Sequence, residues 1–419
     1  MARRTVTALV GAVCLALAGP VVSAGAVEAA VGRPGAADPR EAALRALTGA
    51  GAVGAIAEVR GADGSGGGVW RGSSGVSDLA TGAPVRTDGR FRAGSVTKMF
   101  TATTVLQLVG EGRIGLDDPI ERYLPGLVPN GGRITVRQLL DHSSGLRDPT
   151  KARGGLFPDP TDPAEVRNWL DQGGLTRAIT PGQVVAASVA HAPDFPPGSR
   201  FGYSNVNFTL LGMIIEKVTG HGYAQEVTAR ILRPLGLDST YFPGTATGIR
   251  GPHAHGYWTV PEGPGPADRS DRDVTVASVT WANAAGELIS TLSDLNRFVK
   301  ALLDGRLLPP ALLKQMTATT PIEVDGAPTG LGYGLGMAGW QLSCGPVYGH
   351  DGSVYGYGTQ LWSSGDRQVA LSVTPRGDLT QIMAQLGAEA DFLEQAFCGT
   401  GRRPGGAPGA PRAVAGLFG

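Results

Sequence analysis

The ten residues FRAGSVTKMF, at positions 91–100, indicate both a fold and a chemistry. Apolar residues recur at helical spacing from position 95 to position 109, and Gly110 ends the run, so we predict a helix that begins at Ser95. Lys98 stands three residues after Ser95 and therefore shares its helix face, within reach of the serine hydroxyl. A neutral or hydrogen-bonded lysine amine at this position can take the hydroxyl proton and make Ser95 a nucleophile.

The S-x-x-K pattern alone has a simpler interpretation, an N-cap serine followed by a solvated lysine. Two observations favour the chemical interpretation. Most basic residues of the chain are arginines, and lysines are few. The motif also lies at the junction between a predicted strand and an apolar helix.

A second motif, Tyr203-Ser204-Asn205, directly precedes a predicted helix at 207–219. A phenol held near a lysine can share its proton and act as a base or an acid, and an asparagine amide can hydrogen-bond a substrate carbonyl. Taken alone, the motif is typical of a helix cap.

A third motif, His350-Asp351-Gly352-Ser353, precedes an apolar, aromatic strand. A cationic or hydrogen-bonding histidine followed by a glycine without a side chain suits a strand edge that lines a cleft. The backbone N–H of Ser353 can pair with that of Ser95 as an oxyanion hole. In isolation, this motif also reads as a turn.

In this order, S-x-x-K, Y-x-N and H-x-G resemble the three signatures of serine β-lactamases and penicillin-binding proteins. The tyrosine and histidine versions resemble class C β-lactamases and, more closely, the secreted D-alanyl-D-alanine carboxypeptidases of actinobacteria. The resemblance covers about residues 40–399. It includes ITVRQLLDHSSGL at 134–146, PGSRFGYSNVNFTLLGMIIEKVTGHGY at 197–223, the stretch around Trp281, and GYGLG through LSCG to VYGHDG at 332–352.

The resemblance implies a role for each motif residue. Ser95 is expected to be the acylated nucleophile, and Lys98 and Tyr203 to handle its proton. Asn205 is expected to contact the substrate amide, and His350 stands where other members carry lysine. We interpret His142, within 134–146, as a structural residue that holds the turn after its helix.

The order of predicted elements indicates an α+β fold of the β-lactamase and transpeptidase type. Strands are predicted near both ends of the chain, at 52–60, 69–76, 347–348, 358–362 and 369–373. Helices are predicted at 39–47, 135–140, 292–303 and 380–397. We therefore expect one domain at 38–399. Its antiparallel sheet comes from about 38–94 and 281–399, with flanking helices, and a mostly helical region at about 95–280 is inserted.

The first 24 residues are typical of a secretory signal peptide. Two arginines precede a charge-free run at 5–22, and Val22-Ser23-Ala24 is a small-x-small cleavage site. The alternative, a membrane anchor, is disfavoured because the run contains Gly11, Gly19 and Pro20. We expect a secreted protein without a stable membrane anchor. A flexible segment follows at 25–37, and a Gly/Pro-rich tail occupies 400–419.

Loss of the signal peptide would remove Cys14 and leave two cysteines, Cys344 and Cys398. In an exported chain two cysteines most simply form a disulfide. This bridge is predicted to tie a late strand to the last helix.

Composition and missing motifs exclude several other classes. The 36 basic and 36 acidic side chains balance, so nothing favours nucleic acid as a partner. His253 and His255 have no third ligand nearby, so we expect no metal and no cofactor. An α/β-hydrolase is excluded because G-x-S-x-G does not occur. We expect a monomer.

The substrate is less constrained than the reaction. The predicted activity is that of a D-alanyl-D-alanine carboxypeptidase, acting on peptidoglycan-type peptides or β-lactams. Carboxypeptidases of this group hold the substrate carboxylate with an arginine, but 336–341 contains none, and Asp351 adds a negative charge. An esterase or D-aminopeptidase acting on small esters or amides is therefore an alternative. So is a β-lactam-binding protein without turnover.

Overall fold

The computed structural model describes residues 38–61, 68–151, 156–158, 162–262, 268–324 and 327–399. The predicted signal peptide, the segment 25–37 and the tail 400–419 lie outside these residues. Among the described helices, none is long and apolar enough to span a membrane.

An antiparallel eight-stranded sheet forms the centre of the fold, in the order β2-β1-β12-β11-β10-β9-β8-β7. In the part of the chain that the structure describes, the strands are β1 (Gly54–Arg60), β2 (Val69–Gly75), β3 (Phe91–Arg92), β4 (Tyr257–Pro261), β5 (Arg269–Asp273), β6 (Ile289–Ser290), β7 (Thr320–Val324), β8 (Ala327–Tyr333), β9 (Ala338–Leu342), β10 (Gly345–Val354), β11 (Tyr357–Ser363) and β12 (Gln368–Thr374). The first strand pairs with the last, Gly54 opposite Thr374. The two ends of the chain therefore build one sheet, as predicted.

Helices cover both faces of this sheet. They are α1 (Pro39–Gly49), α2 (Thr97–Gly110), α3 (Val136–Leu140), α4 (Pro163–Asp171), α5 (Pro181–Val189), α6 (Asn205–Thr219), α7 (Tyr223–Val227), α8 (Arg233–Leu235), α9 (Asn283–Gly286), α10 (Leu292–Leu303), α11 (Pro310–Thr317) and α12 (Leu379–Cys398). A π-helical turn, Thr228–Leu232, joins α7 to α8.

Burial on both faces explains the composition of β12, in which all seven residues are buried. Val369 and Leu371 pack in one cluster with Leu44 of α1 and Phe392 of α12. Ala370 belongs to the other, larger cluster, which contains the helical region. A strand covered on both sides carries apolar residues at consecutive positions, here 369–371, instead of alternating with polar ones, because neither face meets water.

The structure contains three features that the sequence analysis did not predict. The mostly helical region includes a two-stranded hairpin, β4 with β5. Two further helices, α4 and α5, each begin with a proline behind a capping Asp162 or Thr180. The predicted strand 347–348 extends to Val354 because it pairs with β9 and then with β11. The third sequence motif therefore lies in a strand and not in a turn.

Helix α2 forms the centre of the larger cluster. Met99, Phe100, Val105 and Leu106 are completely buried, and the ring of Phe100 stacks on Phe298 of α10 at 3.6 Å between centroids. A helix that is buried around most of its circumference is held in place from several directions. The packing of α2 therefore fixes the position of its N-terminal turn.

A disulfide joins Cys344, in the turn between β9 and β10, to Cys398 at the end of α12. The two Cα atoms are 5.4 Å apart and 54 residues apart in sequence. Arg367 Nη1 donates to the main-chain oxygens of Ala396 and Phe397 at the same helix end. The bridge thus attaches the edge half of the sheet to the last helix.

We predict that replacing both cysteines by serine lowers the free energy of unfolding by about 2–4 kcal/mol, because the cross-link restricts the unfolded chain. Urea unfolding of the oxidised protein and the double variant measures the difference. Reduced wild-type protein is the control and should match the variant. Alkylation of both thiols in the native, unreduced protein would contradict the bridge.

Candidate active site

Ser95 lies in a 3₁₀ turn, Gly94–Val96, directly before α2. The helix itself begins at Thr97, two residues later than predicted, and Thr97 Oγ1 donates to Gly94 O at 2.7 Å to close the turn. Gly94 has a φ of +54°, a conformation that favours glycine. Ser95 is 6% exposed. The hydroxyl therefore sits at the positive end of a buried helix, with limited access to solvent.

The side chain of Lys98 is completely buried and points at Ser95. Its Nζ lies 3.0 Å from Ser95 Oγ, 2.8 Å from Asn205 Oδ1 and 2.9 Å from the main-chain oxygen of Ala285. These partners come from the turn before α2, from α6 and from α9. Three separate elements thus fix one nitrogen atom.

Burial lowers the pKa of Lys98 to about 7, because the charged amine loses its hydration; the carboxylates of Asp148 and Asp351 oppose this shift. A substantial fraction of the amine is therefore neutral near pH 7. A neutral amine 3.0 Å from Ser95 Oγ can accept the hydroxyl proton.

Tyr203 completes the contacts of the serine, since its hydroxyl donates to Ser95 Oγ at 2.8 Å. Burial raises the pKa of Tyr203 well above its usual value, and Tyr333 and Asp351 act in the same direction. The phenol thus keeps its proton at neutral pH. Of the two groups predicted to handle the Ser95 proton, Lys98 is the base that the geometry and charges favour.

Asp148, which the sequence analysis did not single out, orients Asn205. Its Oδ2 accepts the Asn205 main-chain N–H at 2.9 Å and the side-chain Nδ2 at 3.1 Å. The amide oxygen of Asn205 must then face Lys98. The only sequence signal was the position of Asp148 just after the quoted stretch 134–146.

His142 packs against the Tyr203-Ser204-Asn205 motif. It is completely buried with a φ of +58°, and its ring lies 4.3 Å from that of Tyr203. Its Nδ1 accepts the N–H of Ser204 at 3.2 Å and also lies 3.0 Å from Asn207 Nδ2. Since Nδ1 accepts, the imidazole is in the tautomer protonated at Nε2. His142 thus holds the backbone between Tyr203 and Asn205.

Strand β10 lies against the turn that carries Ser95. A Cβ atom at Gly352 would lie 2.1 Å from Ala93 O and 2.8 Å from Ser95 N, and one at Gly94 would lie 2.7 Å from Ser353 N. Such distances exclude any side chain at Gly352. The N–H groups of Ser95 and Ser353, predicted to form an oxyanion hole, therefore belong to two backbone segments in contact.

His350 lies in β10 itself and is completely buried. Its Nδ1 lies 2.5 Å from the main-chain oxygen of Asp351, and its Nε2 lies 2.9 Å from the hydroxyl of Tyr333. A carbonyl oxygen can only accept, so Nδ1 carries a proton, and the Tyr333 hydroxyl can donate to Nε2. A neutral imidazole satisfies both contacts.

Among the described residues, no group of three or more metal-ligating side chains is placed to hold an ion. His255 Nδ1 contacts Asp273 Oδ2 at 2.6 Å, and His253 Nδ1 contacts the main-chain oxygen of Gly251 at 2.7 Å. These two contacts involve no residue of the three serine-site motifs.

Comparison with known proteins gives a consistent picture. The family model described as Beta-lactamase matches residues 55–391. Penicillin-binding protein 4 of Amycolatopsis lactamdurans is 30% identical over 333 residues, which cover 75% of this chain and 79% of that protein. The structure is similar to a D-stereospecific amidohydrolase from Streptomyces sp., with a TM-score of 0.72, 39% identity, and coverage of 86% of this chain and 98% of that one. It is also similar to the D-amino acid amidase of Ochrobactrum anthropi SV3 complexed with D-phenylalanine, with a TM-score of 0.70, 27% identity, and coverage of 86% and 98%.

We predict that covalent labelling of Ser95 by a fluorophosphonate rises with pH through a midpoint near 7, because only the neutral Lys98 amine accepts a proton. Below the midpoint the rate should fall about tenfold per pH unit. Stopped-time labelling followed by mass spectrometry gives the profile.

As a control, Lys98→Met should label about 10²-fold to 10⁴-fold more slowly at every pH. A thermal unfolding curve shows whether this variant is folded. A wild-type rate that is constant between pH 5.5 and 8.5 would rule out Lys98 as the base.

We also predict that His142→Leu slows labelling by about tenfold or more, since the buried Ser204 N–H would lose its acceptor at a cost of about 1–3 kcal/mol. His142→Asn should remain within about threefold of wild type, because asparagine tolerates positive φ and its amide oxygen can replace Nδ1. Equal rates for wild type and His142→Leu, measured on folded protein, would show that His142 does not position the motif.

Proposed function

We propose a specific activity for this chain, which belongs to the β-lactamase family and is a serine hydrolase of the β-lactamase and penicillin-binding protein fold. In this proposal the protein is an exported enzyme that forms an acyl-enzyme on Ser95. It cleaves amides or esters whose leaving group carries no carboxylate. Amides of D-amino acids are the proposed substrate class.

The proposed reaction uses the contacts around Ser95 in two stages. The neutral Lys98 amine takes the Ser95 proton as Oγ attacks the substrate carbonyl. The N–H groups of Ser95 and Ser353 stabilise the resulting oxyanion. Tyr203 then gives its proton to the departing amine or alcohol, and the Lys98 ammonium replaces that proton. Water then attacks the acyl-enzyme; this step releases the acid and returns the proton to Ser95 Oγ.

The observation that carries the leaving-group restriction is the absence of a cation at the start of β9. The stretch 336–341 contains no arginine or lysine, and Ala338 is completely buried opposite Gly349 of β10. Two other arginines, considered as partners for a substrate carboxylate, form ion pairs elsewhere: Arg147 with Asp194 at 3.4 Å, and Arg376 with Asp271 at 2.6 Å. A buried carboxylate without a cation is costly.

The acyl part of the substrate is inferred from relatives. The Streptomyces amidohydrolase is D-stereospecific, and the Ochrobactrum enzyme is a D-amino acid amidase. Both align along 86% of this chain. Their names support an amide bond and a D-configured acyl residue here.

A second candidate is the D-alanyl-D-alanine carboxypeptidase activity, with peptidoglycan-type peptides or β-lactams as ligands. The 30% identity to a penicillin-binding protein favours it. A β-lactam that acylates Ser95 without turnover, and small esters as substrates, are compatible with the same catalytic groups.

Export of the protein is also a proposal, and a monomeric state is a separate one. The signal-like residues 1–24 support export, and so does the bridge between Cys344 and Cys398, because disulfides persist mainly in oxidising compartments.

The proposal predicts that kcat/KM for a D-amino acid amide exceeds that for the matching dipeptide with a free terminal carboxylate by about tenfold or more, since the free acid lacks a cation to pair with. Ala338→Arg should narrow this ratio; Gly339→Arg is a second position to test. Ser95→Ala is the control and should abolish both activities and the acyl adduct seen by mass spectrometry. A free acid that is the better substrate by tenfold would favour the carboxypeptidase activity instead.

A further inference from the structure

Five aromatic side chains form a cluster at the end of β10, and the proposed reaction does not use them. The rings of Trp281 and Tyr355 lie edge to face, 6.0 Å apart between centroids. Phe157 packs edge-on against Trp281 at 4.8 Å, and Trp169 lies 6.3 Å from Tyr355. Trp258 lies 6.4 Å from Trp169. We call these five residues the aromatic cluster.

The aromatic cluster is not a closed core. Trp169 is buried, whereas Phe157, Trp258, Trp281 and Tyr355 are each partly exposed. Aromatic residues make up only 6% of the chain, so a group of partly exposed rings in mutual contact is unusual for this composition. Such a group is typical of a surface that binds an apolar part of a ligand.

Two backbone segments place Trp281 and Tyr355 beside the nucleophile. Trp281 lies two residues before α9, whose Ala285 main-chain oxygen accepts a hydrogen bond from Lys98 Nζ at 2.9 Å. Tyr355 lies two residues after Ser353, whose main-chain nitrogen would be 2.7 Å from a Cβ atom at Gly94. The two segments thus contact the Ser95 turn and its lysine from different sides. The contact between the Trp281 and Tyr355 rings joins them.

Both segments also contain an unusual backbone conformation. Tyr355 has a φ of +33°, and Asn283, two residues after Trp281, has a φ of +29°. Positive φ is uncommon in residues other than glycine. The Asn283 side chain donates to the main-chain oxygen of Trp281 at 3.2 Å and accepts the N–H of Ala284 at 2.6 Å. Strained residues of this kind concentrate at functional sites, which favours a functional role for the two rings.

The order of groups along β10 indicates which part of the substrate meets the aromatic cluster. His350 lies at the end near Tyr203, with 6.4 Å between the ring centroids. The leaving group occupies this end in the proposed reaction, because the Tyr203 phenol protonates it. Ser353, the oxyanion donor, comes three residues after His350, and Tyr355 comes two residues later still. A substrate carbonyl held at Ser353, with its leaving group at Tyr203, directs its acyl part toward Tyr355.

We propose that the aromatic cluster is the subsite for the acyl part of the substrate, and that it selects acyl groups that carry an aromatic ring. Trp281 and Tyr355 are its specificity-determining residues. An aromatic ring gains favourable edge-to-face or offset contacts with them beyond the burial of its surface, whereas an aliphatic group gains burial alone. This inference rests on the proposed function, whose substrates it narrows from amides of D-amino acids to amides of aromatic D-amino acids.

Three primary amides with the same leaving group test the inference. They are D-phenylalanine amide, D-cyclohexylalanine amide, which matches it in size without aromaticity, and D-alanine amide. In wild type, kcat/KM for the phenylalanine amide should exceed that for the cyclohexyl amide by about threefold to tenfold. It should exceed that for the alanine amide by about tenfold or more, because the small side chain buries little surface.

A second pair of ligands reports on the subsite without any leaving group. The boron atom of 2-phenylethylboronic acid and of 2-cyclohexylethylboronic acid can bond to Ser95 Oγ and carries only the side chain that mimics the acyl part. The inhibition constant of the phenyl compound should be lower by about threefold to tenfold.

Substitutions separate the rings from the rest of the site. Trp281→Leu should reduce the phenyl-to-cyclohexyl ratio to about one for amides and for boronic acids, whereas Trp281→Phe, which keeps a ring, should retain a ratio above about twofold. Tyr355→Asn, in which asparagine tolerates the positive φ, should act like Trp281→Leu. Trp70→Leu is the matched control, because it removes another partly exposed indole from β2, at an edge of the sheet. It should leave the wild-type ratios unchanged.

The outcomes distinguish this inference from the proposed function. Turnover of all three amides without the aromatic preference overturns the subsite and leaves the proposed function intact. A preference that persists in both Trp281→Leu and Tyr355→Asn, on folded protein, also overturns the subsite. If no amide is cleaved but the boronic acids show the preference and Trp281→Leu removes it, the subsite is supported and the amidase activity is wrong. If no amide is cleaved and the boronic acids show no preference, both are wrong.

Discussion

The burial of one lysine amine is the constraint on which the rest of the site depends. Lys98 Nζ has no exposed surface, and its partners are a hydroxyl, an amide oxygen and the main-chain oxygen of Ala285. None of these three is a carboxylate, so nothing in direct contact holds the amine in its charged form, and its pKa falls to about 7. A direct carboxylate partner would keep the amine protonated. Asp148 instead reaches Lys98 through the amide of Asn205.

This indirect arrangement explains the surrounding hydrogen bonds. Asp148 satisfies the first N–H of α6 and also orients the Asn205 amide, so that the helix start and the lysine contact are set together. His142 holds the preceding Ser204 N–H and packs against the Tyr203 ring. Asn205 and Tyr203 are thus each supported by a buried group that forms no hydrogen bond to Ser95 itself, as precise positioning requires.

On the other side of Ser95, the site depends on close contact between two backbone segments and not on charged groups. Gly352 and Gly94 allow β10 to touch the turn that carries the nucleophile, and a Cβ atom at either would collide with main-chain atoms. In the proposed reaction the groups around Ser95 supply the chemistry, whereas the missing cation at Ala338 bears on the leaving group. The proposal thus assigns reaction and specificity to different residues, in line with one fold supporting several substrates.

The sequence by itself determined those features that depend on neighbours along the chain. Lys98 lies three residues from Ser95, so a helical turn is enough to bring them together. The helix predicted at 292–303 is likewise set locally, because the Thr291 side chain caps it by accepting the N–H of Asp294. The tertiary structure alone decided the charge state and orientation of the site. Lys98 meets Ala285 across 187 residues and Asn205 meets Asp148 across 57, and no local pattern encodes such pairings. A pKa depends on how completely water is excluded, which is a property of the whole packed core and not of any motif.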